Sequence, residues 1–349
     1  MNAQVEVVAV AARTPVGLTA ESSAASVRAG ICRYTEYPFI DPRGEPVVVA
    51  ADRMLEPGLE GRDRLVPMAE SVLEEIEAKI DHKVLYAGRL SPLLALPETR
   101  PGFSEEDAAW VAGALSARLR AKTSSAHIEL AGRGHAGAIR AVEQAARECS
   151  ESRDNLFLVV GVDSYHHADT FTWLEGDRRF AQPGIRSGFT PGEGAGCLTL
   201  MSAGLRRRLR LPQLAVVRGA RTAQERLLRD SDTGSFGVGM TQAVQGAVAG
   251  LDLPRESVDV LYTDINGERY RSEEWGFVAL RAPSVWKSPG YKAPSDCWGD
   301  VGAAFGALGD VLAVRAFVRG YARGPRALVM AGSDSGLRGA MLLQAPQVS

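Results

Sequence analysis

Residues 186–202 read RSGFTPGEGAGCLTLMS, and the fold turns on how they are understood. Glycines at 188, 192, 194 and 196 let backbone segments approach where a side chain would collide. They lead into GCLTLMS (196–202), an apolar run of strand length behind a turn signal. GAMLLQA (339–345), near the other end of the chain, has the same character. Both read as antiparallel strands added to sheets whose other members lie elsewhere.

Outward from this stretch, short β-branched runs alternate with segments of helical spacing. Strands are expected at VEVVAVA (5–11), KVLYAG (83–88), SAHIELA (125–131), LFLVVGV (156–162), AVVRGART (215–222), VDVLYTDI (258–265) and ALVMAGS (327–333). Helices are expected over 64–79, 104–120, 136–149, 238–250, 272–281 and 301–319. Such alternation argues an α/β protein with buried, mainly parallel central strands. The order also repeats. Residues 1–205 and 212–349 read as two similar halves joined near 203–213, with GRGHAGAI (132–139) and WGDVGAAFG (298–306) at matching loop-to-helix positions. Two such halves stack as a five-layered α-β-α-β-α sandwich with the site between them, where strand ends meet.

Composition limits what the chain can do. Its 349 residues, formal net charge of −2 and 45 % hydrophobic content are enough for one large core or two fused ones. No uncharged apolar window of ~18 residues occurs, so no membrane span is expected. The start, MNAQVEVVAVAARTP, has neither the basic opening nor the long apolar run of a secretory signal. Cys32, Cys149, Cys197 and Cys297 form no CxxC pair, which fits a reducing, cytoplasmic setting and no structural zinc. RRRLR (206–210) has no aromatic partners in a chain without basic charge, so it reads as a solvated connector and nucleic acid is excluded. His166 and His167 have no third ligand at metal spacing; they read as polar surface or pocket lining, and no metal is expected. No GxGxxG or P-loop string is present, and no cofactor is expected.

RSGFTPGEGAGCLTLMS, together with VVAVAARTPVG (7–17) and LFLVVGVDSY (156–165), resembles the β-ketoacyl synthase branch of the thiolase superfamily, in order and over nearly the whole chain. The resemblance implies the thiolase-like fold, a structural hairpin at PGEGAG with Glu193 held by ion pairs or hydrogen bonds, and action on acyl thioesters of coenzyme A or an acyl carrier protein. It also implies pairing, as a homodimer or with a cysteine-bearing synthase, through the strand before the elbow at 132–138. In that family a cysteine at the N-terminus of a buried helix takes the acyl group, and two histidines from the second half polarise the carbonyl of a malonyl unit. Aligned without gaps, the cysteine position falls on His135, the first histidine on Asn266 in INGERY and the second on Asp300. The family lysine falls near Ser295, with Lys292 close by. GSDSGLRG keeps the late glycine loop, where Gly336 could offer a backbone oxyanion donor. Cys297, Trp298 and His166 are expected near the pocket, with Trp286 walling it or packing the core.

Without a thiolate at the elbow no ordinary acyl-enzyme forms. Three readings follow. In one, the chain is a non-condensing subunit that binds acyl groups or partners an active synthase in a fatty acid or polyketide pathway, as chain length factors do. In another, the site is rebuilt: His135 acts with Asp300 in an acyltransferase, decarboxylase or thioesterase-like reaction, its imidazole kept neutral by the helix N-terminus. In the third, the fold is a structural module of a larger assembly. Each residue also has an ordinary role: His135 fills the elbow, Asp300 caps a helix start and Asn266 forms a turn with Gly267.

Overall fold

The structure, a computed structural model, describes residues 5–347 apart from 88, 124–126, 152–153 and 233. The first half contains β1 (Val5–Arg13), α1 (Ala20–Arg28), β2 (Thr35–Ile40), β3 (Pro46–Val49), α2 (Arg62–Lys79), α3 (His82–Ala87), β4 (Arg89–Leu96), α4 (Glu105–Arg120), β5 (Glu129–Arg133), α5 (Gly137–Glu151), β6 (Asn155–Ser164), α6 (Ala168–Gly176) and β7 (Glu193–Ser202). After α7 (Ala203–Leu209) the second half contains β8 (Ala215–Gln224), α8 (Val238–Ala247), β9 (Val260–Thr263), α9 (Arg269–Arg281), α10 (Ser295–Trp298), α11 (Phe305–Val318), β10 (Arg326–Gly332) and β11 (Leu337–Gln344).

Nine strands form one ladder in the order β5-β4-β6-β7-β1-β8-β11-β10-β9, the halves joined where Val5–Val7 pair with Ala215–Val217. Each strand alternates its side chains between two faces, and the apolar clusters follow that period. In the first half, Leu94, Leu158, Val160 and Met201 face α2 and α4, while Leu93, Phe157, Val159 and Leu200 face a central cluster. In the second half, Leu328, Met330 and Leu342 face α8 and α9, while Val329, Met341 and Leu343 face that same central cluster. The centre is filled by α5 and α11, which pack against strands of both halves. The layers are therefore α2/α4, first-half strands, α5/α11, second-half strands and α8/α9: the expected five-layered sandwich.

β7 and β11 are antiparallel to both neighbours, as the glycine-rich stretch and its late counterpart suggest. They lie inside the ladder, however, and parallel pairing is confined to β5-β4-β6 and β10-β9, so the strands are not mainly parallel. Residues 83–87 of KVLYAG are helical rather than a strand, and Gly88 lies outside the described residues. The Asp81 carboxylate accepts from Lys83 N–H at 2.8 Å and starts α3, and the strand is the next segment, RLSPLLAL. Pro92 sits inside that segment, a residue that normally argues against a paired strand. Residues 125–126 of the expected SAHIELA strand lie outside the described residues, and β5 begins at Glu129. The helix expected over 301–319 opens as a 3-10 turn at Gly302–Ala304 before α11. No helix among the described residues is long and apolar enough to cross a membrane.

Candidate functional site

The elbow between β5 and α5 presents His135. Gly134 precedes it at φ +65°, and a Cβ there would lie 2.7 Å from Ser333 Oγ and 2.8 Å from the Glu98 carboxyl. Conformation and crowding both require glycine. Gly134 N–H donates to Leu96 at 2.9 Å, and Ala136 N–H donates to Ser333 Oγ at 3.1 Å, so loops from both halves fix the turn.

The PGEGAG stretch positions the opposing residue. Gly192 N–H donates to the Asp300 carbonyl at 2.8 Å, and Asp300 N–H donates to Thr190 at 2.8 Å. A Cβ on Gly192 would come within 2.3 Å of the Trp298 carbonyl, so glycine is what lets PGEGAG grip the Asp300 backbone. Glu193, next in sequence, is the buried anchor of the same turn. It accepts two bonds from Arg64 at 2.6 Å, one from Asp52 N–H at 2.7 Å and one from Ser164 Oγ at 2.8 Å, with His166 Nδ1 3.0 Å away. Burial opposes its charge, but His166 and Arg64 outweigh burial and hold the carboxyl far below the usual range.

His135, Asn266 and Asp300 come together. His135 Nε2 lies 2.8 Å from Asp300 Oδ1, and Asn266 Nδ2 donates to Asp300 Oδ2 at 2.5 Å. Gly302 N–H adds a bond to Asp300 Oδ1 at 2.8 Å, and Tyr165 OH lies 3.4 Å from the same oxygen. Asn266 also keeps its ordinary turn role, its Oδ1 accepting from Glu268 N–H at 3.0 Å. Around this group Arg271 donates to Asp264 at 2.5 Å, Arg179 to Glu268 at 2.7 Å and Asp334 at 2.7 Å, and Arg100 to Asp163 at 2.6 Å.

Charge decides the state of the imidazole. Burial disfavours its cation and Arg271 repels it, yet the Asp300 carboxylate raises the His135 pKa above its ordinary value. Burial likewise opposes the Asp300 charge, but His135 and Arg271 hold that carboxyl far below the usual range. Asp300 is thus the carboxylate acceptor, and His135 Nε2–H donates to it. Arg271 Nη2, 3.3 Å from the same nitrogen, is a second donor and makes a contact without a bond. The expected effect of the helix N-terminus, to disfavour the cation, is opposed here by a full carboxylate at 2.8 Å, and the shift is upward.

A cavity of about 260 Å³ opens on this group, lined by Glu98, Arg100, His135, Asp163, Tyr165 and Asp334 among others. Among the described residues none reaches His135 Nδ1, which faces that space. Three residues expected near the pocket do not line it. Trp298 is 1 % exposed and packs in the central core, where so large an apolar side chain is best buried. Cys297 lines a separate cleft with Cys32, and burial pushes its thiol up to about 11. His166 is fully buried beside Glu193, stacked on Tyr37 at 5.3 Å, so it is neither surface nor pocket lining. Gly336 N–H donates to Ser333 at 3.1 Å and does not point a free donor at the cavity. His167 caps α6, Trp286 packs edge-on to Trp275 at 4.9 Å, and Lys292 lies over the Tyr262 ring.

Arg100, Arg179 and Arg271, with Asp163, Asp264, Glu268 and Asp334, were not legible as site residues. A partial signal exists: Asp163, Asp264 and Asp334 each sit at or just beyond the C-terminal end of a strand, where α/β proteins gather their sites.

The architecture is that of the thiolase-like ketosynthases. The chain superimposes with TM-score 0.78 at 14 % identity, over 99 % of its length and 100 % of the other chain, on a type II PKS acyl-carrier protein in complex with its ketosynthase bound to the hexaketide. It matches a ketosynthase in complex with its chain length factor from Xenorhabdus doucetiae with TM-score 0.77 at 14 % identity, covering 99 % of this chain and 98 % of that one. The ishigamide ketosynthase/chain length factor matches with TM-score 0.75 at 15 % identity over 99 % of this chain and 100 % of that chain. No protein-family model and no curated protein matches the sequence.

Proposed function

We propose that this protein is a non-condensing, ketosynthase-like subunit of an acyl or polyketide pathway, working beside a cysteine-bearing synthase in the manner of a chain length factor. One observation carries the reading: at the helix-mouth elbow stands His135, bound to Asp300, whose other carboxylate oxygen accepts from Asn266, within a buried ion-pair network. A nucleophile there must have a free electron pair on its attacking atom and room for an acyl group. His135 is held against Asp300 through Nε2 in place of a thiolate, and among the described residues no thiol lines the cavity. Carbonyl polarisation by imidazole is equally missing, since Asn266 and Asp300 hold one another. On this reading the fold divides as 1–205 and 212–349, and the surface pairs with another chain of the same fold. The test is co-expression with the ketosynthase encoded nearest to it, followed by native mass spectrometry. A one-to-one heterodimer is expected; a homodimer that excludes the synthase would overturn the proposal.

A second reading has its own support. His135 Nδ1 faces the cavity while Nε2 is oriented by a carboxylate, the arrangement of a histidine that donates a proton. A raised pKa suits a general acid rather than a base or acyl acceptor. Turnover of a malonyl or acyl thioester by the purified protein, abolished in His135→Ala, would establish this reading and displace the first.

A further inference from the structure

Two adjoining clefts, with no lining residue in common with the His135 cavity, open where α1 packs on α11. They measure about 750 and 370 Å³ and share Ala24, Arg28 and Tyr321. Their walls are largely apolar, with Val27, Tyr262, Pro294 and Leu312 among them. Their charged groups are mostly of one sign. Arg28 lies over the Tyr321 ring at 4.3 Å, Arg319 lines the larger cleft, and Lys292 lines the smaller one 5.4 Å from the Tyr262 ring. Burial lowers the Lys292 pKa, and Arg323 and Arg28 lower it further. The facing carboxylates are Glu21, already paired with Arg315 at 3.0 Å, and Asp296. Among the described residues, Arg28, Lys292, Arg319 and Arg323 form no ion pair.

Solvated lysines and arginines on a convex surface need no partner. Here Arg28, Lys292 and Arg319 converge on a concave, apolar-walled space, where low-dielectric walls concentrate the field and the cations repel one another. An anion would relieve that repulsion, and an apolar body attached to it would cover the alanines, Leu312 and the tyrosine faces. We propose that this cleft binds an organic anion carrying an apolar body, a single carboxylate or phosphate head on an alkyl or acyl chain.

Calorimetric titration of the full-length protein tests this with dodecyl phosphate and dodecanoate below their micellar concentrations. Saturable one-site binding is expected, with inorganic phosphate weaker by about tenfold or more for want of the apolar contribution. The relative affinities of dodecyl phosphate and dodecanoate identify the head the cleft prefers. Dodecyltrimethylammonium should not bind. Arg28→Glu with Lys292→Glu should weaken dodecyl phosphate by about tenfold or more, while Arg28→Lys with Lys292→Arg should stay close to wild type. If the charge-reversed protein does not melt cooperatively, Arg319→Gln and the loss of affinity with rising salt take its place. Absence of binding at millimolar dodecyl phosphate, equal binding of the cationic amphiphile, or indifference to charge reversal would each overturn the proposal. His135→Ala should leave the titration unchanged, so this test and that of the proposed function fail independently.

Discussion

Among the described residues, a buried ion cluster centred on Glu193 and another centred on Asp300 are built from similar parts. Each has a carboxylate against a histidine at about 3 Å, with backbone amides completing the shell. The Glu193 cluster is sealed from solvent: its carboxylate is 0 % exposed and its arginine donates two bonds of 2.6 Å, while His166 Nε2 is buried with no hydrogen-bond partner among the described residues. The Asp300 cluster is saturated on one side and open on the other, since His135 Nδ1 faces a cavity of about 260 Å³. Saturated polar groups stabilise and specify a fold; a polar atom left facing a cavity is available for binding or chemistry. The same residue types serve structure in one place and form a candidate site in the other.

Breaking the sealed cluster should cost most. Glu193→Ala leaves Arg64 buried without its partner, and a loss of about 3–5 kcal/mol in urea unfolding is expected. The open cluster should cost less. Asp300→Asn keeps the shape and leaves Arg271 its bond to Asp264, so about 2 kcal/mol is expected for the lost charged hydrogen bonds. A pH series sharpens the contrast. The folded pKa of His135 is raised, so its contribution is fully present below its unfolded value of about 6.5 and lost as pH rises through the folded value. Wild type should therefore lose stability relative to Asp300→Asn across that interval, as thermal melts of the two proteins would show; parallel curves would mean the pair is uncharged. An exposed pair sets the lower limit. Arg208→Ala, which breaks the contact with Asp154 at 60 % and 73 % side-chain exposure, should change stability by under about 1 kcal/mol.

Much of this was legible in the sequence, for identifiable reasons. Strands and helices with clear periods, such as LFLVVGVDSY and the helix after GRGHAGAI, declare themselves because burial imposes the period. The convergence of His135, Asn266 and Asp300 was readable because each lies at an end of an element whose place the internal repeat dictates. KVLYAG misled because six apolar-rich residues suit a strand or a short helix, and the Asp81 cap decides. Trp298 and His166 misled because sequence proximity to a site does not say which way a side chain points. The three arginines were hidden because long side chains reach the site from α9, from the loop after β4 and from the turn after α6.

The most direct test of the central claim, that the elbow has exchanged a nucleophile for a charge-paired histidine, is the intact mass of the protein after incubation with acetyl-, malonyl- and longer acyl-thioesters of coenzyme A and of a carrier protein. An unchanged mass with no carbon dioxide released is the expected result. A covalent acyl adduct at His135, absent from His135→Ala, would contradict it.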